Sequence, residues 1–100
     1  MKSQQTFMVE IAFNSNARKM VPEAGYRSCF VMELDEEQEY LGVEIYDIEV
    51  DALDLTGYAM CSFLYEQEGV DYSKIQPNRS FMVMEGVSIV GKGTVVSFNL

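Results

Sequence analysis

The chain has 100 residues, of which 48% are hydrophobic, and a formal net charge of −9. This length and composition predict one folded domain over residues 1–100 and exclude a disordered tail. The sequence has no apolar run of about 18 residues, and its start lacks the apolar stretch of a signal peptide, so we expect a cytoplasmic protein with no membrane contact.

The first third of the chain alternates in the period of two that is typical of β-strands. A first strand is predicted over residues 7–13 and a second over residues 26–34. Three apolar side chains would share one face of the second strand: Phe30, Met32 and Leu34. The acidic segment DEEQE at residues 35–39 then predicts a hairpin tip that is too charged to be buried.

A third strand is predicted to begin near Tyr40, because apolar side chains alternate from Leu41 to Ile45. Residues 48–55 indicate a short strand and a loop closed by Thr56-Gly57. A helix is the competing interpretation, which Gly57 and the preceding β-branched residues disfavour.

The second half continues with a fourth strand at residues 58–67 and further strands at 80–85 and 87–98. Between them, residues 69–78 are polar with embedded apolar positions, which indicates a short helical turn or an ordered loop over a barrel end. Gly91 and Gly93 interrupt the last strand, as glycines do at a bulge, a bend or a close backbone approach. The sequence therefore predicts an all-β chain of six short strands in a small barrel or sandwich.

Charge is distributed unevenly along this chain. No basic residue lies between Arg27 and Lys74, and that interval holds thirteen acids. The densest acidic group consists of Glu33, Asp35, Glu36, Glu37 and Glu39. This pattern indicates either a solvated surface that keeps the protein soluble or a surface that attracts a basic partner. Direct nucleic-acid binding is disfavoured because phosphates require clustered lysine and arginine.

Catalytic and cofactor motifs are absent from the sequence. Without histidine there is no histidine-based triad, and two cysteines, Cys29 and Cys61, are too few for a zinc site. Residues 91–94 have the wrong spacing for a phosphate-binding loop, and the acidic segment lacks the residue order of a calcium loop. We expect two free thiols, no metal, no cofactor and no enzymatic activity.

Two segments resemble the third domain of elongation factor Tu and related translational GTPases. Residues 25–30, GYRSCF, follow a proline-containing loop and are similar to that family's GYRPQF-type strand. Residues 81–95, FMVMEGVSIVGKGTV, keep the aromatic residue, the Glu-Gly pair and the Val-Gly-x-Gly signature of its last strands. The resemblance extends over nearly the whole chain, since residues 7–13 resemble the opening strand.

The resemblance implies a six-stranded antiparallel Greek-key-type barrel. In that family, positions matching Arg27, Glu85 and Gly86 are implicated in holding aminoacyl-tRNA. This chain departs from the pattern at three positions where the family has glutamine, arginine and arginine: Cys29, Met84 and Ser88. The GTPase domain and the middle barrel of the family are not part of this sequence.

These features favour a stand-alone, non-enzymatic binding module that engages a basic, toxin- or translation-related protein through an acidic surface. The candidate binding residues are Arg27, Glu85, Gly86, Glu33, Asp35, Glu36 and Glu37. A tRNA- or ribosome-associated translation factor with reduced function, an immunity-type decoy and a small-molecule site in the barrel mouth are the alternatives.

Overall fold

Six antiparallel strands close into a barrel in the computed structural model, which describes residues 6–14, 23, 25–51, 53–64 and 72–99. The strands are β1 (Thr6–Phe13), β2 (Tyr26–Met32), β3 (Leu41–Val50), β4 (Thr56–Phe63), β5 (Ser80–Glu85) and β6 (Ser88–Asn99). Their order around the barrel is β1-β4-β3-β2-β5-β6, with β6 pairing back to β1. The meander β2-β3-β4 is flanked by β5 and β1, which is a Greek-key arrangement. The predicted all-β fold is confirmed.

The interior of the barrel is filled by the alternate side chains of all six strands, as the period-two pattern predicts. Phe7, Phe30 and Phe81 are each fully buried. The rings of Phe30 and Phe81 stack with their centroids 4.0 Å apart, and Phe7 lies 5.4 Å from Phe63. Because aromatic rings occupy the centre, the barrel is a packed core and not a channel.

Two glycines allow β6 to approach its neighbours closely. A Cβ atom on Gly91 would lie 2.7 Å from the carbonyl oxygen of Ala12, and one on Gly93 would lie 2.6 Å from the ring of Phe81. The strand also bulges twice, once against β5 and once against β1. Close approach and bulges together let the last strand complete the barrel, which agrees with the prediction for these glycines.

The connection before β5 packs over one end of the barrel. It contains a 3₁₀ turn at Tyr72–Lys74, after which Ile75 is buried against the core. The predicted short turn of helix is therefore confirmed for the described part of residues 69–78. No helix in the described residues is long and apolar enough to cross a bilayer.

Three boundaries differ from the prediction. The second strand ends at Met32, so Leu34 lies exposed in the following loop and not on the inner face. Residues 48–50 extend β3 instead of forming a separate strand, and Thr56-Gly57 begins β4 instead of closing a loop. The predicted end of the fourth strand at residues 65–67 lies outside the described residues.

Candidate functional site

The candidate binding residues lie at two ends of the barrel. Arg27 is near the start of β2, whereas Glu33 follows its last residue. Six residues of extended chain span about 20 Å. Arg27, Glu85 and Gly86 therefore lie at one end, and the acidic loop of residues 33–39 lies at the other.

At the first end, Glu85 takes part in a contact between strands. The hydroxyl of Tyr26 donates a hydrogen bond to the carboxylate of Glu85, and the Ser28 hydroxyl donates to the carbonyl of Met84 at 2.7 Å. Gly86 opens the turn after β5 with φ of 60°, a conformation that suits glycine. Glu85 thus links β5 to β2 through Tyr26, and Met84 does so through Ser28.

Arg27 is exposed on β2 and lies directly opposite Glu44 of β3 in the strand register. Opposite charges at paired positions stabilise an antiparallel pair modestly. Its side chain is also placed on the outside of the barrel, where it is accessible to a partner.

At the second end, the acidic loop is organised around one lysine. Lys74 Nζ lies 3.1 Å from Asp35 Oδ2, 3.3 Å from Glu37 Oε1 and 3.0 Å from Glu39 Oε1. We call these four residues the lysine cluster. Within the described residues, no group of cysteine and carboxylate side chains is placed to hold a metal ion.

Asp35 is the best-enclosed member of the lysine cluster. Its carboxylate accepts hydrogen bonds from the backbone N–H groups of Glu37 at 3.1 Å and Glu39 at 3.0 Å. The Glu39 N–H, helped by Lys74, lowers the pKa of Asp35, and the carboxylates, led by Glu39, raise the pKa of Lys74. The side chain of Asp35 is only 9% exposed, whereas Glu36 and Glu37 are exposed, as expected for a charged hairpin tip.

The lysine cluster changes how the acidic loop is interpreted. Asp35, Glu37 and Glu39 share a cation of the same chain, whereas Glu33 and Glu36 are exposed. The loop is therefore partly neutralised, and its residues 35–39 have a structural role. The sequence signal for this arrangement is that Lys74 is the first cation after the long acidic interval.

A surface that the sequence did not predict lies on the outside of strands β3, β4, β1 and β6. Tyr46, Met60 and Met8 face each other across three strands, because Tyr46 pairs with Met60 and Met60 pairs with Met8. Met8 pairs with Ser97 of β6, beside the extra residue Val96 of the bulge. Together with Tyr58, which lies two residues before Met60, these apolar side chains form what we call the open face: Met8, Tyr46, Tyr58, Met60 and Val96.

Acidic residues border the open face. Tyr58 pairs with Glu10 on one side and with Glu49 on the other. On the far side of Tyr46, Glu44 lies two residues earlier in β3, opposite Ser62. Burial, with a smaller contribution from Asp47, raises the pKa of Tyr46, so its phenol is neutral at physiological pH. The open face is thus an uncharged centre beside carboxylates.

A second apolar outer surface lies on β2 and β5, and it is covered. Cys29 pairs with Met84 and Val31 pairs with Met82. Val31 is 2% exposed and Met84 is 7% exposed, although both lie on the outside of the strands. We call these four residues the covered face.

The two thiols lie in different layers of the barrel. Cys61 points into the core and is fully buried, whereas Cys29 belongs to the covered face and is half-buried. Burial raises the pKa of both thiols. Both residues are free, and a protonated, enclosed thiol is a poor nucleophile.

Comparison with the known protein families finds none that matches this chain. No curated protein matches it significantly.

Proposed function

We propose that this protein is a non-enzymatic binding module that engages a basic protein partner through its acidic outer surface. The observation that supports this proposal is that apolar side chains fill the interior of the barrel, whereas carboxylates lie on its exterior. Phenylalanine and aliphatic side chains fill the barrel, so recognition has to use the outside. The outside carries exposed carboxylates at Glu10, Glu33, Glu36 and Glu49 on a chain with a net charge of −9.

Electrostatics gives this surface a preferred class of partner. A large net charge of one sign steers oppositely charged proteins to encounter and repels nucleic acids and other acidic proteins. Glu44 and Glu49 lie on the same strand and face the same side of the barrel as Glu10. The exposed carboxylates of Glu10 and Glu49 therefore act together on an approaching cationic surface, and Glu44 lies beside them opposite Arg27.

Kinship with the third domain of elongation factor Tu is part of the same proposal. Residues 25–30 open β2, residues 81–95 run through β5 into β6, and β2 pairs with β5. The two segments that carry the resemblance are thus neighbours in the barrel. A cytoplasmic partner linked to translation, or a toxin that docks on the elongation factor, fits both this kinship and the negative charge.

The test begins with affinity capture by the immobilised protein from an extract of its source cells, at about 50 mM and about 300 mM salt, since screening weakens exposed charge pairs. Captured proteins are then purified, and their Kd is measured by calorimetry with the wild type and with the double variant Glu44→Lys/Glu49→Lys. We expect a basic partner that binds at least about tenfold more weakly to the double variant.

Glu36→Lys is the matched control, because Glu36 is exposed at the far end of the barrel. This variant changes the net charge by half as much as the double variant does, and it leaves the strands that carry Glu44 and Glu49 unchanged. A partner whose binding ignores both salt and the double variant would contradict the proposal. Capture of tRNA, identified by its sensitivity to ribonuclease, would favour the alternative of a translation factor.

A further inference from the structure

The apolar outer surfaces of this barrel are not equivalent, and the difference locates a docking site. Val31 and Met84 of the covered face are almost fully enclosed. On the open face, Tyr58 is 49% exposed, Val96 is 41% exposed and Met8 is 36% exposed. We propose that the open face is the docking site for a protein segment that combines an apolar contact residue with flanking lysine or arginine.

Continuity separates the open face from the other exposed apolar residues. Leu34, Leu53 and Val87 are strongly exposed, but each lies in a separate loop. Tyr40 is exposed just before β3, and Ile89 is exposed on β6, where it pairs with the buried Met84. Single exposed side chains of this kind are normal on a soluble protein. The open face instead joins apolar side chains of four neighbouring strands: Tyr46, Met60 and Met8 are paired in register, and Val96 lies beside them at the bulge. Contiguous apolar area rimmed by polar groups marks interaction sites.

The composition of the open face suits binding. Tyrosine and methionine are enriched in the buried centres of protein interfaces. Tyrosine offers a large rigid surface, and the flexible thioethers of Met8 and Met60 can adapt to a partner's shape. The strand ladder fixes the backbone beneath these side chains, so little order has to be gained on binding.

Charge identifies the occupant. Glu10 and Glu49 lie on opposite sides of Tyr58, and Glu44 lies beyond Tyr46. Two described cations lie near these carboxylates: Arg27 pairs with Glu44, and Lys92 pairs with Ala12, beyond Glu10 on β1. Glu10 and Glu49 have no cation opposite them in the described strand register. A cationic residue on either side of an apolar anchor would therefore meet a carboxylate while the anchor contacts Tyr58.

A second copy of this chain does not meet that requirement. Two open faces brought together would place the acids beside Tyr58 of one copy against those of the other, at −9 net charge each. Like charges placed against each other across an interface oppose association. The inference rests on the proposed function, which supplies a basic partner of a different kind.

The experiment selects phage-displayed random peptides of twelve residues against the immobilised wild-type protein. Enriched peptides are synthesised, and their Kd is measured by fluorescence anisotropy with the wild type, Tyr58→Ala and Leu53→Ala. Leu53 is 95% exposed and lies in the loop between β3 and β4, so its variant is the matched control for losing an exposed apolar side chain. Circular dichroism and a thermal melt confirm that each variant is folded.

We expect the enriched peptides to combine apolar residues with lysine or arginine. Tyr58→Ala should weaken their binding by about tenfold or more, because aromatic anchors dominate interface energies, while Leu53→Ala changes it less than about twofold. Basic peptides that bind Tyr58→Ala as tightly as the wild type would overturn the open face as the site but leave the proposed function standing. Enrichment of acidic or uncharged peptides, or of none, would overturn both.

Discussion

The covered and open faces of the barrel both carry methionine and valine side chains but differ in their exposure. Met84 on β5 is 7% exposed, whereas Met8 on β1 is 36% exposed, and each lies on the outside of its strand. A barrel has only one inside, so apolar residues on its outer wall need another partner to be removed from water. Val31 and Met84 of the covered face are removed from water within the chain itself. For the open face, we propose that a partner protein does this.

Thiol reactivity gives the largest expected contrast, because the two cysteines lie in different layers. Cys61 is fully buried on the inner side of β4, so iodoacetamide should reach it only through global unfolding, which slows its reaction by about 10³-fold or more. Cys29 should react faster than Cys61 but more slowly than in the urea-unfolded protein, since burial raises its pKa. Mass spectrometry of timed samples at pH 8 measures both rates. If Cys29 reacted as fast in the folded protein as in the urea-unfolded protein, the covered face would be accessible to solvent.

Gly93→Ala tests the seam between β6 and β1, which the open face spans and the covered face does not. The new methyl group would meet the carbonyl oxygen of Glu10 and lie 2.6 Å from the Phe81 ring, so we expect a loss of about 2 to 3 kcal/mol in the free energy of unfolding. Urea denaturation measures the loss, and hydrogen exchange should show lower protection in β1 and β6 than in β2. Gly86→Ala is the control, because a Cβ there meets no atom within 4 Å and only its φ of 60° is unfavourable.

A pair of methionine variants compares the faces directly. Met84→Ala should lower the free energy of unfolding by about 2 kcal/mol, because it empties space in the covered face. Met8→Ala should lower it by only about 1 kcal/mol, because Met8 is 36% exposed and already contacts water. Equal losses, measured by urea denaturation at pH 7, would mean that the two faces are covered to the same extent.

The smallest effect is expected for Asp35→Asn, which disturbs a loop at the end of both faces. Since the pKa of Asp35 is lowered in the folded protein, its stabilisation is complete above its ordinary pKa of about 3.9 and is lost as the pH falls through the lower folded value. The variant should therefore melt at a lower temperature than the wild type at pH 7, and the difference should vanish in strong acid. Glu36→Gln, at an exposed neighbour, serves as the control. A Tm difference that does not shrink as the pH falls below about 3.9 would contradict the electrostatic explanation.

Local pattern was sufficient to predict the strands but not their ends. The alternation from Phe7 to Phe13 identifies β1 because each inward residue has to be apolar. The same pattern predicts that β2 extends to Leu34, but the turn that Asp35 stabilises ends the strand at Met32. The hydrogen bonds of the Asp35 side chain in this turn therefore decide where β2 ends, although the alternation of apolar residues continues to Leu34.

The sites depend on tertiary neighbours, which no local pattern provides. Lys74 meets Asp35 only because the connection before β5 crosses the barrel end where the loop after β2 lies. The contact of Met8 with the row through Met60 depends on the register between β1 and β4. An apolar outward residue in a strand looks the same in sequence whether a partner covers it or not, so the sequence alone does not predict the open face.

The seam that pairs Thr6 with Asn99 joins the earliest and latest described segments of the chain. During synthesis, β1 therefore has no partner on that side until β6 has left the ribosome, and contacts between such distant segments make folding slow. Until then β1 and β5 each present a free edge, which a β6 strand from another newly made molecule could occupy. Exchange of the last strand between molecules is thus the characteristic misassembly of this topology at high concentration.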